Sequence, residues 1–330
     1  KMYPICNVGH ADLVELKNGE WYAVMLGSRL IGGYHKNLGR ETFIAPVVWE
    51  DGWPVISPGT GKIEWSYPAP DLPEFKPKAM LARDDFDEDK LGMVWNFLGT
   101  PYEDFYTLKD SKLILKLLPR PMSPELKKIS HAPGPGSENA ERVSRDGTEK
   151  CFSTLSFIGR RQQHIRFSAC AKMSFWATSE NETAGLVVMQ ANNHQLRLER
   201  SMEAGKQILR LVQCTCEFNT YQFLPDFESK TTQLELAKTE VNYRDIYLKI
   251  TADEQAHSFY YGSSEDNLLP LFEKADGRLI NPESVGGMIG TYIGMFASSN
   301  GAESDNSVAF DWFEYSEVDE KGEVILWMNA

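Results

Sequence analysis

The sequence predicts an all-β protein, built as one four-stranded antiparallel sheet followed by a two-sheet β-sandwich. Three observations carry this expectation. Two hairpin signatures stand back to back near the start: ADLVEL and EWYAVML flank Asn18-Gly19, and TFIAPVVW and WPVI flank Asp51-Gly52. Short runs of alternating apolar and polar residues recur through the rest of the chain, while amphipathic helical stretches are scarce. A proline-rich stretch separates the two regions.

Asn-Gly and Asp-Gly tolerate the positive φ values of tight hairpins, so each pair predicts a two-residue turn. Two hairpins supply four strands, the usual content of one propeller blade. The loop between them, from Gly27 to Gly39, carries Ser28, Arg29, Tyr34, His35 and Lys36, with Arg40 just beyond. A long, polar, cationic loop between well-made strands either presents binding groups or is a solvated connection. Trp49 and Trp53 flank the second turn, and packing in the blade core is favoured for them over lining a ligand. Asp12, Glu15 and Asp51 occupy strand or turn positions, where a lone carboxylate is structural.

From Tyr67 to Pro77 the prolines Pro68, Pro70, Pro73 and Pro77 deny ladder donors and favour a stiff, extended connector. The expected division is therefore residues 1–66, a linker at 67–79, and a sandwich at 80–330. Asp84, Asp85, Asp87, Glu88 and Asp89 crowd one short stretch. Their spacing is not that of a known calcium loop, and a solvated turn is favoured over a Ca²⁺ site. Leu118 to Lys150 is rich in Pro, Ser, Gly and charge and reads as a long insertion or mobile loop. Beyond it, AGLVVMQ, QILRLVQCTCEF, QLELAKTE, DIYLKITADEQAHSFYYG, GTYIGMFAS and SVAFDWFEYSEVD alternate with period two, which predicts one sandwich without internal repeats. Cys6, Cys151, Cys170, Cys214 and Cys216 show no metal-ligand spacing and read as buried free thiols.

Of 330 residues, 42% are hydrophobic and 12% aromatic, ample for a packed core. The net charge of -13 disfavours nucleic acid and anionic membrane as partners and suits a neutral ligand. Eight Trp and thirteen Tyr offer apolar faces on which sugar rings pack, although most are expected in the core. No apolar run approaches the roughly 20 residues of a membrane span. The chain opens at Lys1-Met2-Tyr3 with no leader peptide, so the true N-terminus is expected upstream. A periplasmic or secreted location is favoured over a cytoplasmic one.

GHADLVE, LGRETF and WEDGWPV, in that order, resemble the late blades of glycoside hydrolase family 43, in its β-xylosidase and α-L-arabinofuranosidase branch. DDFDEDKLGMVWNFLGTP, FIGRRQQH, AGLVVMQ, DIYLKI and AFDWFEY resemble the concanavalin-A-like sandwich that follows the propeller in that family. Leu118 to Lys150 matches least well. The resemblance implies the last blade or blades of a five-bladed β-propeller joined to that sandwich. It also implies an inverting exo-glycosidase that releases terminal xylose or arabinofuranose from plant hemicellulose oligosaccharides. In such an enzyme an acid and a base carboxyl stand roughly 6.5–9.5 Å apart, with water between base and sugar. The family's two Asp and one Glu come from blades upstream of GHADLVE, and no residue here matches them. No catalytic residue is therefore expected in this chain, which alone should be inactive.

Other roles follow from the same resemblance. His10 corresponds to the histidine at the propeller axis, acting through water near a central calcium. Arg40 corresponds to the arginine at the floor of the −1 subsite, where its planar fork serves sugar hydroxyls and its charge holds a carboxylate ionised. The alternative for Arg40 is an ion pair with Glu41. Around Met288 to Tyr292 an apolar side chain is expected at the mouth of the site, and Met288 is the candidate. Arg160, Arg161 and Gln163 are expected to brace the sandwich against the propeller. The implied cofactor is structural or electrostatic Ca²⁺. The implied partners are xylo- or arabino-oligosaccharides and the missing N-terminal blades, with a homo-oligomer left open. The competing reading is a non-catalytic carbohydrate-binding or structural sandwich module.

Overall fold

Alternation and turn chemistry build the first sheet. A computed structural model describes residues 3–75, 81–123, 154–216 and 231–325, so most of the 118–150 insertion, and Cys151, lie outside the described residues. Strands β1 (Ile5–Glu15), β2 (Trp21–Arg29), β3 (Glu41–Glu50) and β4 (Trp53–Ile56) pair antiparallel in the order β1-β2-β3-β4. The second turn is the predicted one: Glu50 faces Trp53, with Asp51 at φ 49° and Gly52 at φ 79°. The first differs. Leu16 N donates to Glu20 O at 2.8 Å and Gly19 N to Leu16 O at 2.9 Å. The loop is thus Lys17-Asn18-Gly19, longer by one residue than expected, because the Asn18 side chain accepts from Glu20 N at 3.1 Å.

One face of this sheet buries Ala23, Met25, Ala45 and Val47 against Ile63 and Tyr67. Val14, Ile44 and Val48 remain 42%, 51% and 40% exposed. The sheet is therefore closed on one side only, and β1 and β4 are its edges. The core packing expected for Trp53 is contradicted, since it is 75% exposed. Trp49 reaches the core only through an edge contact on Trp21, at 5.2 Å between ring centroids. The segment that covers the sheet packs on Trp21 and Ile56 rather than on either tryptophan at the turn.

The second region adds β5 (Arg83–Asp84), β6 (Tyr106–Leu108), β7 (Leu113–Lys116), β8 (Ser156–Arg161), β9 (Arg166–Ser174) and β10 (Thr183–Ala191). It continues through β11 (His194–Glu203), β12 (Lys206–Cys216), β13 (Thr231–Glu240), β14 (Asp245–Asp253), β15 (Ala256–Gly262), β16 (Leu269–Asp276), β17 (Tyr292–Ser298) and β18 (Ser307–Glu317). A short α-helix, α1 (Pro282–Val285), sits between β16 and β17, after a 3-10 turn at Gly277–Leu279. One sheet runs β13-β12-β11-β10-β17-β8 and the other β16-β15-β14-β9-β18-β7-β6, with β5 beside β18. The predicted two-sheet sandwich is thus observed. Its core interleaves Leu186, Leu198 and Leu211 of one sheet with Met173, Ile250 and Phe310 of the other. The Asp84–Asp89 cluster is partly committed to structure: Asp84 accepts from Phe86 N at 2.9 Å and from Trp95 Nε1 at 2.7 Å.

Two buried bases mark the sandwich interior. The Arg200 guanidinium is fully buried and donates to Gln207 Oε1 and to the carbonyls of Val241, Tyr243 and Arg244. It pins the link between β13 and β14, and burial pushes its pKa down to about 10. His257 is also fully buried, and burial takes its pKa down to about 4, partly offset by the Gln255 backbone and Asp276. The unfolded chain holds an ordinary histidine near 6.5, so between those values the unfolded state binds more protons. Stability should therefore fall as pH drops from about 6.5 towards 4, with His257 contributing about 3 kcal/mol of that loss. Denaturant titrations of wild type and His257→Leu across this window test it: the variant should lose markedly less stability on acidification. Parallel pH profiles would contradict the assignment.

Candidate functional site

The loop from Leu30 to Arg40 is exposed at residues 32–34 and packed from there on. It plugs into the sandwich. Asn37 is fully buried and donates to the carbonyls of Gly277 and Ile280 at 3.2 and 3.3 Å. Its Oδ1 accepts from Gln255 Nε2 at 2.7 Å, and its carbonyl from Thr291 N at 2.7 Å. Lys36 Nζ pairs with Glu283 at 2.8 Å, and Asn281 Nδ2 donates to His35 Nδ1 at 2.8 Å. A histidine accepting at Nδ1 carries its proton on Nε2.

Arg40 stands where this plug meets β3. Its N–H donates to Met288 O at 3.3 Å. Its carbonyl accepts from Arg161 Nη2 at 2.6 Å, and the same nitrogen also donates to Leu38 O. Next to it, Gly39 lies at φ 68°, and a Cβ there would sit 2.3 Å from Gly290 N. Only glycine allows both that φ and that approach. The alternative role for Arg40 is not observed. Glu41 is engaged by Arg29, with Nη2–Oε1 and Nε–Oε2 distances of 2.9 Å, so the two charges form a bidentate pair. The half-buried Arg40 guanidinium has no ion-pair partner among the described residues.

Two candidates chosen from sequence, Arg40 and Met288, are thus brought together by a direct backbone bond. Met288 and Ile289 are each 58% exposed, and Gln190 Nε2 holds the Ile289 carbonyl at 2.7 Å. The pair projects as an anchored apolar rim beside Arg40. His10 is elsewhere. It lies exposed on β1, at φ 51°, within the register shift between Gly9 and Asp12. Such bulges re-aim a side chain out of the strand's alternation.

Of the three residues expected to brace the two regions, only Arg161 reaches the plug. Arg160 turns inward, its guanidinium 4.4 Å from the centre of the Tyr315 ring and bonded to Gln163 Oε1 at 2.8 Å. Burial holds the Arg160 guanidinium below its ordinary pKa, which the nearby Tyr315 partly opposes. His164 lies beside them. Burial depresses its imidazole, Glu317 at 3.8 Å pulls it up, and Arg160 and Arg29 push it further down. Sequence alone did not single out Asn37, Gln255 or the 277–291 segment as an interlock, because nothing local links residues so far apart.

Comparison with known proteins identifies the family of both regions. Residues 1–54 match the family described as glycosyl hydrolases family 43. Residues 83–316 match the beta xylosidase C-terminal concanavalin A-like domain. The chain is 34% identical over 321 residues to the non-reducing end alpha-L-arabinofuranosidase BoGH43B of Bacteroides ovatus, covering 96% of this chain and 52% of that protein. It is 33% identical over 321 residues to a xylosidase/arabinosidase of Butyrivibrio fibrisolvens, covering 96% and 54% respectively. Among solved structures, the Bacteroides ovatus xyloglucan PUL GH43B superposes with a TM-score of 0.74 at 32% identity, covering 96% of this chain and 55% of that one. The GH43 BlXynB protein of Bacillus licheniformis superposes at 0.76 and 27% identity, covering 95% and 54%. The chain spans about half the length of the curated relatives it matches.

Proposed function

The chain belongs to glycosyl hydrolases family 43, and from that premise we propose that it is the C-terminal part of an inverting exo-glycosidase. Its substrates are oligosaccharides ending in xylose or arabinofuranose. The acid, the base and the orienting carboxylate come from blades outside residues 1–330. The observation that carries this reading is Arg40: a guanidinium without an ion-pair partner among the described residues, backbone-clamped on both sides, beside an exposed apolar rim. A fixed fork of donors suits vicinal sugar hydroxyls, and a fixed positive charge favours an ionised carboxylate nearby. The exposed apolar side chains of Val14, Ile44 and Val48 offer a surface for the preceding blade.

In the reaction this chain's own residues bind and orient. Arg40 holds the terminal sugar in register with the carboxyls, and the Met288–Ile289 rim limits water at the mouth. Calcium, when bound, would supply a positive charge at the propeller axis. Among the described residues no three His, Cys, Asp or Glu side chains converge as metal ligands. His10 is the residue of this chain that would face such an ion, acting through water.

The test is hydrolysis of 4-nitrophenyl β-xyloside and α-L-arabinofuranoside. The full-length protein should turn over at least one of them, and residues 1–330 alone should turn over neither. Turnover by residues 1–330 alone would place acid and base within this chain and overturn the reading.

A further inference from the structure

Arg161 ends β8 and faces Tyr292 of β17, so its side chain leaves the sandwich at the edge nearest the plug. One of its guanidinium nitrogens serves two carbonyls of another region, Leu38 and Arg40, which bracket Gly39. Space for that reach exists because residue 290 is glycine: a Cβ there would lie 2.9 Å from Arg161 Nε and 2.5 Å from Leu38 O. No carboxylate within the described residues forms an ion pair with Arg161. Its Nη2 is spent on backbone oxygens that fix where Arg40 begins its side chain. Carbonyls carry no full charge, so burying a cation on them is a weak way to stabilise a fold. It is an effective way to fix a backbone, because the guanidinium is planar and rigid.

We propose that Arg161 is a positioning residue for Arg40, through which the sandwich sets the orientation of the subsite guanidinium. This rests on the reading that Arg40 contacts the terminal sugar. Displacing Arg40 by even an ångström would weaken its contacts most in the transition state, where alignment with the carboxyls matters. Arg161 would thus influence catalysis without touching substrate.

The experiment is a double-mutant cycle in the full-length enzyme, with 4-nitrophenyl pentosides and full pH profiles. Arg161→Met should lower kcat/KM about 10- to 100-fold. It should do so mainly through kcat and move the acid limb of the profile to higher pH, as Arg40→Ala does, because Arg161→Met displaces from the carboxylate the positive charge that Arg40→Ala deletes. On the Arg40→Ala background Arg161→Met should cause no further loss. Additive losses, or a lowered rate with the acid limb unmoved, would overturn the proposal. If the methionine variant does not fold, Arg161→Lys replaces it. A partial loss that vanishes on the Arg40→Ala background then supports the proposal, and wild-type kinetics overturns it. Wild-type activity in Arg40→Ala alone would instead remove the subsite reading itself.

Discussion

Arg40→Ala in the full-length enzyme should lower kcat/KM about 100-fold or more, on the order of 3 kcal/mol of transition-state stabilisation. The melting temperature should barely move. Both expectations come from the same geometry. The interactions that tie residue 40 to the sandwich belong to its backbone: the N–H on Met288 O and the carbonyl on Arg161 Nη2. Alanine keeps both. What it removes is a guanidinium that forms no ion pair within the described residues, because Arg29 already occupies Glu41. Few contacts of the fold are therefore lost with it. Steady-state kinetics beside a thermal melt checks this. A collapsed melting temperature would mean that the side chain is structural, and unchanged kcat/KM would remove it from the site.

Gly39→Ala should be the most damaging single methyl group near the plug. The new Cβ would lie 2.3 Å from Gly290 N and 2.6 Å from Ile289 C, both backbone atoms held in place by neighbours. The residue also sits at φ 68°, which side chains other than glycine rarely adopt. Strain and overpacking together should destabilise the docked arrangement by about 2–4 kcal/mol. Gly19→Ala is the matched control. It has φ 86° and nothing within 4 Å of the added Cβ, so it carries the backbone strain without the clash. Calorimetry should show a far larger fall for Gly39→Ala, accompanied by lost activity as Arg40 moves with its neighbour. Equal shifts for the two variants would show that the close approach to Gly290 contributes nothing.

The strands and both hairpins were legible because alternation and turn residues are local signals. Asp51-Gly52 set a two-residue turn, and DIYLKITAD predicted β14. The sandwich's division into two sheets followed from many short strands without helices between them. The plug was not legible, since Asn37 finds Gly277 and Ile280 some 240 positions later. Polarity placed the 27–39 loop at a surface, but Asn37 is polar because it satisfies carbonyls inside an interface. Arg160 and Arg161 look alike in sequence. Adjacent strand positions point to opposite faces, so one turns to Tyr315 and the other to Leu38. Trp53 reads as a core residue by type, yet the segment covering the first sheet does not reach it. A tryptophan left open on a sheet with one bare apolar face fits a neighbouring blade better than solvent. Arg40 was found by motif, and its freedom from Glu41 needed the structure to show Arg29 there first.

The most direct measurement is a crystal structure of the full-length protein with xylose or arabinose bound. The Arg40 guanidinium should donate to a sugar hydroxyl at roughly 2.7–3.2 Å, with Met288 or Ile289 on the rim above it. A pentose bound between the catalytic carboxyls with Arg40 out of its reach would contradict the account.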